Sequence, residues 1–362
     1  MPAPADQIAR LRLIRSDNIG PITYFQLLAR FGSAQAAIEA IPGLAARGGG
    51  RAPRLASPAD AEREIEQVTR LGARHLFLGQ GLYPALLAEI ETAPPALIVN
   101  GDISLLDRTA VAIVGARNAS AAACRFARHL AHGLGAAGIA IVSGLARGVD
   151  SAAHDGALET GTIAVIAGGI DIVYPPENEA RQRTIAERGL LVAEQPPGVE
   201  PRARHFPYRN RIIAGLTLGS VVIEAAPKSG SLITARYAAD FGREVMAVPG
   251  SPLDPRAQGC NLLIRDGATL VQNAEDVIEA ISPLGARTVR QRALDYAAAG
   301  PSADADEAAR RTIFDLLGPT PVQADELIRQ SGISPAMVHT ILLELELAGR
   351  IERHAGGKVS LL

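Results

Sequence analysis

From about position 110 onward, short aliphatic runs alternate with helix-length segments, and few folds accommodate that alternation. The runs fall at 111–114, 139–142, 162–167, 190–193, 221–224 and 244–248, with helical patterns such as 121–137 and 231–241 between them. Strands separated by helices form parallel βαβ units with right-handed crossovers. The pattern therefore predicts an α/β fold, a Rossmann-like doubly wound and mostly parallel sheet. Composition agrees where it bears on this. With 36 glycines, no Trp and 4% aromatics, the chain favours tight turns and the aliphatic packing of strands buried on both faces.

At 362 residues the chain exceeds one ordinary core, and the pattern changes on both sides of the sheet. In the first segment Ile8, Leu11, Leu13 and Ile14 recur at helical spacing, Asn18-Ile19-Gly20-Pro21 breaks the period, and Tyr24, Leu27, Leu28 and Phe31 restart it. Helix, Gly-containing hairpin, helix is the layout of small SAM-like or helix-hairpin-helix modules. Residues 45–58, rich in Gly, Arg, Ala and Pro, read as a mobile connector. After Ile281 an Arg- and Ala-rich stretch leads to a last module with helices around 313–317, 324–330 and 334–348. A hairpin over 350–362 turns at Gly356-Gly357, which completes a winged-helix plan. The expected division is a helical domain over 1–80, the sheet domain over 81–285, a linker over 286–307 and the winged helix over 308–362. The third helix of that module has no Lys or Arg and carries Glu344 and Glu346. This favours protein contact or regulation over groove reading, which normally uses a basic helix, and leaves Arg350, Arg353 and Lys358 of the wing as the other route to duplex.

Hydrophobic residues at 48% and charged residues at 20% argue against extensive disorder, and the formal net charge of -2 does not advertise a polyanion partner. A local basic patch can still hide in such an average. Cys124 and Cys260 lack metal-ligand spacing and fit small core residues in a reducing compartment. No apolar region follows Met1, and the longest apolar stretch, near Ile163 to Val173, is interrupted by Asp171. A cytoplasmic protein without a membrane partner is expected.

In an open parallel sheet, ligands bind beyond the carboxyl ends of the strands. The loop after the first run reads Val114-Gly115-Ala116-Arg117-Asn118-Ala119-Ser120. A dinucleotide fingerprint needs glycine where Arg117 stands, so NAD and FAD are disfavoured and no cofactor is expected. Helix amides, the Ser120 hydroxyl and a guanidinium fork suit a single phosphate instead. The next ends carry Ser143-Gly144-Leu145-Ala146-Arg147-Gly148-Val149-Asp150, then Gly168-Gly169-Ile170-Asp171 and Tyr174-Pro175-Pro176-Glu177-Asn178. Between 202 and 211 lie four arginines and His205, without an acid, interleaved with Phe206 and Tyr208. Arginines neutralise phosphates, and aromatic faces stack on unpaired bases whatever their sequence. Lys228-Ser229-Gly230-Ser231-Leu232-Ile233-Thr234-Ala235 opens a further helix with more donors. No convincing catalytic set, Walker A loop or zinc spacing is present. His154 and Asp150, four apart, read as a local pair.

These blocks resemble the DNA-processing protein family, DprA (also called Smf). The resemblance rests on Gly115-x-Arg117-x-x-Ser120, Ser143-Gly144-Leu145-Ala146-x-Gly148-Val149-Asp150, Tyr174-Pro175-x-x-Asn178, Phe206-Pro207-x-Arg209-Asn210-Arg211, Ser229-Gly230-Ser231 and Pro249-Gly250. It implies a non-catalytic homodimer that binds and shields single-stranded DNA and helps load RecA in natural transformation and recombination. Carried over by motif, Arg117 would hold phosphate with the Gly115, Ser143 and Gly144 amides. Arg209 and Arg211 would add charge, Phe206 would contact a base, and Asn210 would order the loop. Arg147, Gly168, Gly169, Ser229, Gly230, Ser231 and Thr234 complete the expected rim. Relatives often carry a basic residue just after the Tyr-Pro pair; here Pro176-Glu177 follows, and Arg181 or Arg183 is the candidate replacement. The competing class is a Rossmann-type phosphoribohydrolase of nucleoside monophosphates. Its Pro-Gly-Gly-x-Gly-Thr signature is missing from the loop Ala226-Pro227-Lys228-Ser229-Gly230-Ser231, although Glu194 and Glu224 supply carboxylates.

Overall fold

The computed structural model describes residues 4–285, 305–354 and 357–362. Two compact units result, one made of Met1–Arg63 with Ala293–Leu362, the other of Glu64–Arg292. The linker expected over 286–307 lies outside the described residues as far as position 304, as does Gly356 of the expected hairpin turn.

The first unit begins with α1 (Pro4–Ile14), α2 (Pro21–Phe31) and α3 (Ala34–Arg47). Asn18 at φ 60° and Pro21 in the first turn of α2 make the break between α1 and α2. Ser33 caps α3 by accepting from the Ala36 amide at 3.2 Å. The stretch expected to be a mobile connector is instead tied down. Ala45 is buried within α3, Arg12 Nε donates to the Ala56 carbonyl at 3.0 Å, and the Ala56 amide donates to Ser16 Oγ at 3.0 Å. Helix α4 (Pro58–Arg70) leads out of the unit.

The second unit is a nine-stranded sheet. Its strands are β1 (Arg74–Phe77), β2 (Ala96–Gly101), β3 (Ala110–Gly115), β4 (Ala140–Ser143) and β5 (Thr162–Gly169). They continue with β6 (Leu190–Gln195), β7 (Gly219–Ile223), β8 (Glu244–Ala247) and β9 (Thr269–Leu270). The spatial order is β1-β2-β6-β5-β4-β3-β7-β8-β9. From β6 to β9 every pairing is parallel, and β2 and β1 add two antiparallel strands at one edge. The Rossmann-like sheet read from the alternation is thus present, with β1, β2 and β9 as additions. The helices are α5 (Ala85–Ala88), α6 (Ala121–Ala136), α7 (Val149–Ala157), α8 (Glu179–Arg188), α9 (His205–Gly215), α10 (Ser231–Asp240), α11 (Gln258–Arg265) and α12 (Ala274–Gly285). On one face of the sheet, Val111, Ile113 and Val221 pack with Ala127, Leu134, Ala153 and Val277 from α6, α7 and α12. Strand order reverses between β3 and β7, the topological switch point of this architecture.

The first unit is completed by a winged helix: α13 (Glu307–Leu316), β10 (Val322–Gln323), α14 (Ala324–Ser331), α15 (Pro335–Leu347), β11 (Ile351–His354) and β12 (Lys358–Leu361). Its three strands pair antiparallel in the order β10-β12-β11. Ile313, Leu327, Val338, Ile341, Leu342, Leu345 and Val359 form its core.

Candidate nucleic-acid interface

Beyond the carboxyl ends of β3, β4 and β5, the strand-end loops and the first turns of α9 enclose a cavity of about 230 Å³. Arg117, Gly144, Arg147, Gly168, Phe206 and Arg209 all line it, with Ile166 and Ile172 as an apolar wall and Tyr174 at the side. Arg117 is exposed and, among the described residues, forms no ion pair. Its guanidinium carbon lies 5.1 Å from the Phe206 ring centroid, within cation–π range. Tyr174 packs against Phe206, with ring centroids 5.6 Å apart at 58°. The mouth thus combines an exposed guanidinium that forms no ion pair among the described residues and a half-buried aromatic ring.

The floor is built differently. Arg209 is buried, and its Nη1 donates to the Gly144 carbonyl and, at 3.0 Å, to the Val165 carbonyl. Burial pulls its pKa down to about 10, with Asp150 opposing and Arg117 adding to the shift. Asp150, also buried, accepts from the amides of Gly144 at 3.2 Å and Ala146 at 3.3 Å. Burial raises its carboxyl above the ordinary range, against Arg209 and those two amides. A Cβ at Gly144 would collide with the Arg209 guanidinium, so glycine is required for this approach. Asp150 was the residue sequence reasoning undervalued. Its place six residues after Gly144, at the start of α7, was the available signal. Nearby, burial drives His154 down to about 3, and its Nδ1 lies 2.7 Å from Thr162 Oγ1.

Other residues assigned to the rim from sequence are not gathered here, because their polar atoms have partners inside the fold. Ser143 is buried and donates to the Ile113 carbonyl at 2.6 Å. Ser120 caps α6 and is itself bound by Glu224: its amide donates to Oε2 at 2.8 Å and its hydroxyl to Oε1 at 2.5 Å. Gly115 lies hard against the Ile223 carbonyl, across the β3–β7 pairing. The Gly169 amide donates to Val199 at 2.9 Å. Arg181 holds Asp155 with two bonds of 2.7 and 3.1 Å and also reaches Asn178, so it does not stand in for a cation after Tyr174-Pro175. Arg183 pairs with Glu179 at 3.1 Å.

The 202–211 segment divides. Arg202 and Arg204 are exposed just before α9, and together with burial they depress the His205 pKa. Arg211 is buried and faces elsewhere, donating to the Thr92 carbonyl and to Glu194 Oε1 at 2.5 Å. Asn210 Nδ2 donates to the Gly230 carbonyl at 3.2 Å, tying α9 to the turn before α10. In that turn Ser229 and Ser231 hydroxyls bond each other at 2.8 Å and Thr234 is buried. Among the described residues no cluster of His, Cys, Asp and Glu is suited to a metal ion, and no helix is long and apolar enough to cross a membrane.

Comparison with known proteins bears on this geometry. Residues 74–282 match the model of DNA recombination-mediator protein A. Residues 4–66 match the DprA-like N-terminal HHH domain, and 297–357 the DprA winged helix domain. The DNA processing protein DprA of Streptococcus pneumoniae is 46% identical over 198 residues, 54% of this chain and 70% of that protein. Protein Smf of Escherichia coli is 37% identical over 289 residues, 77% of this chain and 75% of its own length. Among solved structures, S. pneumoniae DprA superposes with a TM-score of 0.58 at 41% identity, over 62% of this chain and 78% of that one. DprA from Helicobacter pylori, described for its single-stranded DNA binding mode, gives 0.53 at 30%, over 58% and 96%. With one family model spanning more than half of its length and two more covering its ends, this chain belongs to the DNA recombination-mediator protein A family, DprA.

Proposed function

We propose that this protein binds single-stranded DNA at the β3–β5 cavity and acts by holding the strand, without turning it over. The observation that carries the reading is the meeting of Arg117 and Phe206 at one mouth. A phosphate takes the Arg117 guanidinium while the neighbouring base stacks on the ring, a combination that ignores sequence and requires an unpaired base. Arg147, Arg202 and Arg204, all exposed, extend the positive surface for adjacent phosphates, while Arg209 supplies fixed charge from below. The binding mode described for the H. pylori relative supports the same ligand class. Membership of a recombination-mediator family supports a cytoplasmic setting in which a homodimer shields incoming strands and passes them to RecA.

Arg117→Ala tests the site. Losing one charge-assisted contact of about 1.5–3 kcal/mol weakens binding roughly ten- to a hundredfold, alike for every sequence. The slope of log K against log salt becomes shallower by about 0.7. Isotherms on single-stranded oligonucleotides at several salt concentrations read both, and unchanged affinity with an unchanged slope sinks the assignment. Incubation with nucleoside monophosphates checks the binding-only reading, since hydrolysis would make the protein an enzyme.

A further inference from the structure

A winged helix that reads duplex DNA presents its third helix to a groove. Here that helix, α15, is covered on two sides. Val338, Ile341, Leu342 and Leu345 face the winged-helix core. Thr340, Leu343, Glu344 and Leu347 form a second stripe at i, i+3, i+4 and i+7 and are buried as well. What covers the second stripe is the N-terminal helical domain, through α3. Glu344 is fully buried, and its carboxylate accepts from Arg47 Nε of α3 and from Arg310 Nε of α13, each at 2.8 Å. Just past α3, Gly48 and Gly50 press so closely on α15 that a Cβ on either would strike the Glu344 or Ala348 carbonyl. Arg353 of the wing reaches back to Gln26 of α2 at 3.5 Å and is paired with Glu346 at 2.7 Å.

We infer that α15 is a docking face for the chain's own N-terminal helices, so the two chain ends form one module and the winged helix does not read duplex DNA through that helix. Chemistry on both sides fits this occupant. The stripe is apolar around one carboxylate, α15 has no Lys or Arg to offer a phosphate, and α3 brings the cation that the carboxylate needs. A buried carboxylate is tolerated only when paired, so Glu344 requires Arg47 as well as Arg310. The inference stands apart from the binding cavity, which belongs to the other unit.

The test uses the full chain with a protease site inserted at position 295. After cleavage, the C-terminal fragment should co-elute with the remainder in gel filtration. In Arg47→Glu, which sets a carboxylate against Glu344, it should elute separately, while single-stranded DNA affinity stays within twofold. Release of the fragment from the unsubstituted chain overturns the inference, and so does its retention by Arg47→Glu. Ala336→Glu gives an independent reading at the exposed amino end of α15. Duplex affinity should not change, and a tenfold loss would show that α15 meets DNA after all.

Discussion

Two crevices lie side by side at the carboxyl edge of the sheet, and the chain treats them in opposite ways. Between β3 and β7, where ligands of this architecture usually settle, the amino end of α6 already faces an anion. Glu224 follows β7 at φ 50°, a left-handed conformation that costs a non-glycine residue about 1 kcal/mol or more. Its carboxylate takes both donors of Ser120. Over β3, β4 and β5 the strand-end loops line a cavity, and among the described residues Arg117 there forms no ion pair. The same local chemistry, strand-end loops leading into helix amino termini, is satisfied internally in one place and left open in the other. The β3–β7 position is thereby filled from within, and the arginine-and-aromatic mouth opens one strand away.

The largest effect that separates the two crevices should come from the floor of the open one. Arg209→Met leaves Asp150 buried beside two amides but without its cation. Removing this buried cation, with its bonds to the Gly144 and Val165 carbonyls and its attraction for the Asp150 carboxylate, should cost about 3 kcal/mol, read as a lower urea midpoint. The pH dependence has a definite sign. The folded pKa of Asp150 is already raised, so its ionisation destabilises the fold as pH rises through that value. Losing Arg209 raises it further. The deficit against the parent protein should therefore be greatest near pH 7 and shrink toward about pH 4, where the carboxyl takes up its proton in both states. A deficit independent of pH would mean that Arg209 acts through its packing and its bonds to the Gly144 and Val165 carbonyls, not through the Asp150 charge.

At the closed crevice the expected effect is smaller and of another kind. Glu224→Ala deprives the Ser120 amide and the first turn of α6 of their anionic partner, a loss of about 1–2 kcal/mol in stability. Single-stranded DNA affinity should stay within twofold. A tenfold rise in affinity, with the fold intact by calorimetry, would show that the freed amino end of α6 takes a phosphate and would put the ligand at the switch point.

The sheet was legible because burial on both faces writes continuous aliphatic runs, and 162–167 or 190–193 can hardly be anything else. β1, β2 and β9 were not read, since β9 has two residues and the edge strands lie before the alternation begins. In the site, the sequence showed which loops carry charge and left open where each guanidinium points. Arg209 and Arg211 look equivalent in a row of arginines. On a helix, residues two apart diverge by about 200°, which sends Arg209 under the cavity and Arg211 to Glu194. Glycines and serines were similarly ambiguous: Gly144 is in the site to admit Arg209, whereas Ser143, one residue earlier, points into the sheet. In α15 the missing cations could be seen in advance, but the partner covering its second stripe lies some 300 positions away in the chain, as Arg47 and Glu344 do.

The smallest expected effect is at the mouth. Glu177 is the acid lining the open cavity, well exposed and only loosely paired with Arg147 at 3.9 Å. Such a surface pair contributes little to folding, so on the proposed reading its cost falls on the bound strand, whose phosphates would approach a carboxylate beside Arg147. Glu177→Lys changes the local charge by two units without touching the floor. Stability should be unaffected, and single-stranded DNA affinity should rise about three- to tenfold at low salt. Because an added cation releases a further counterion, the salt slope should steepen by up to about 0.7, so the gain fades as salt is raised. A gain that persists at high salt would identify a direct contact of the new ammonium with a base. No gain at any salt would show that the strand does not pass Glu177.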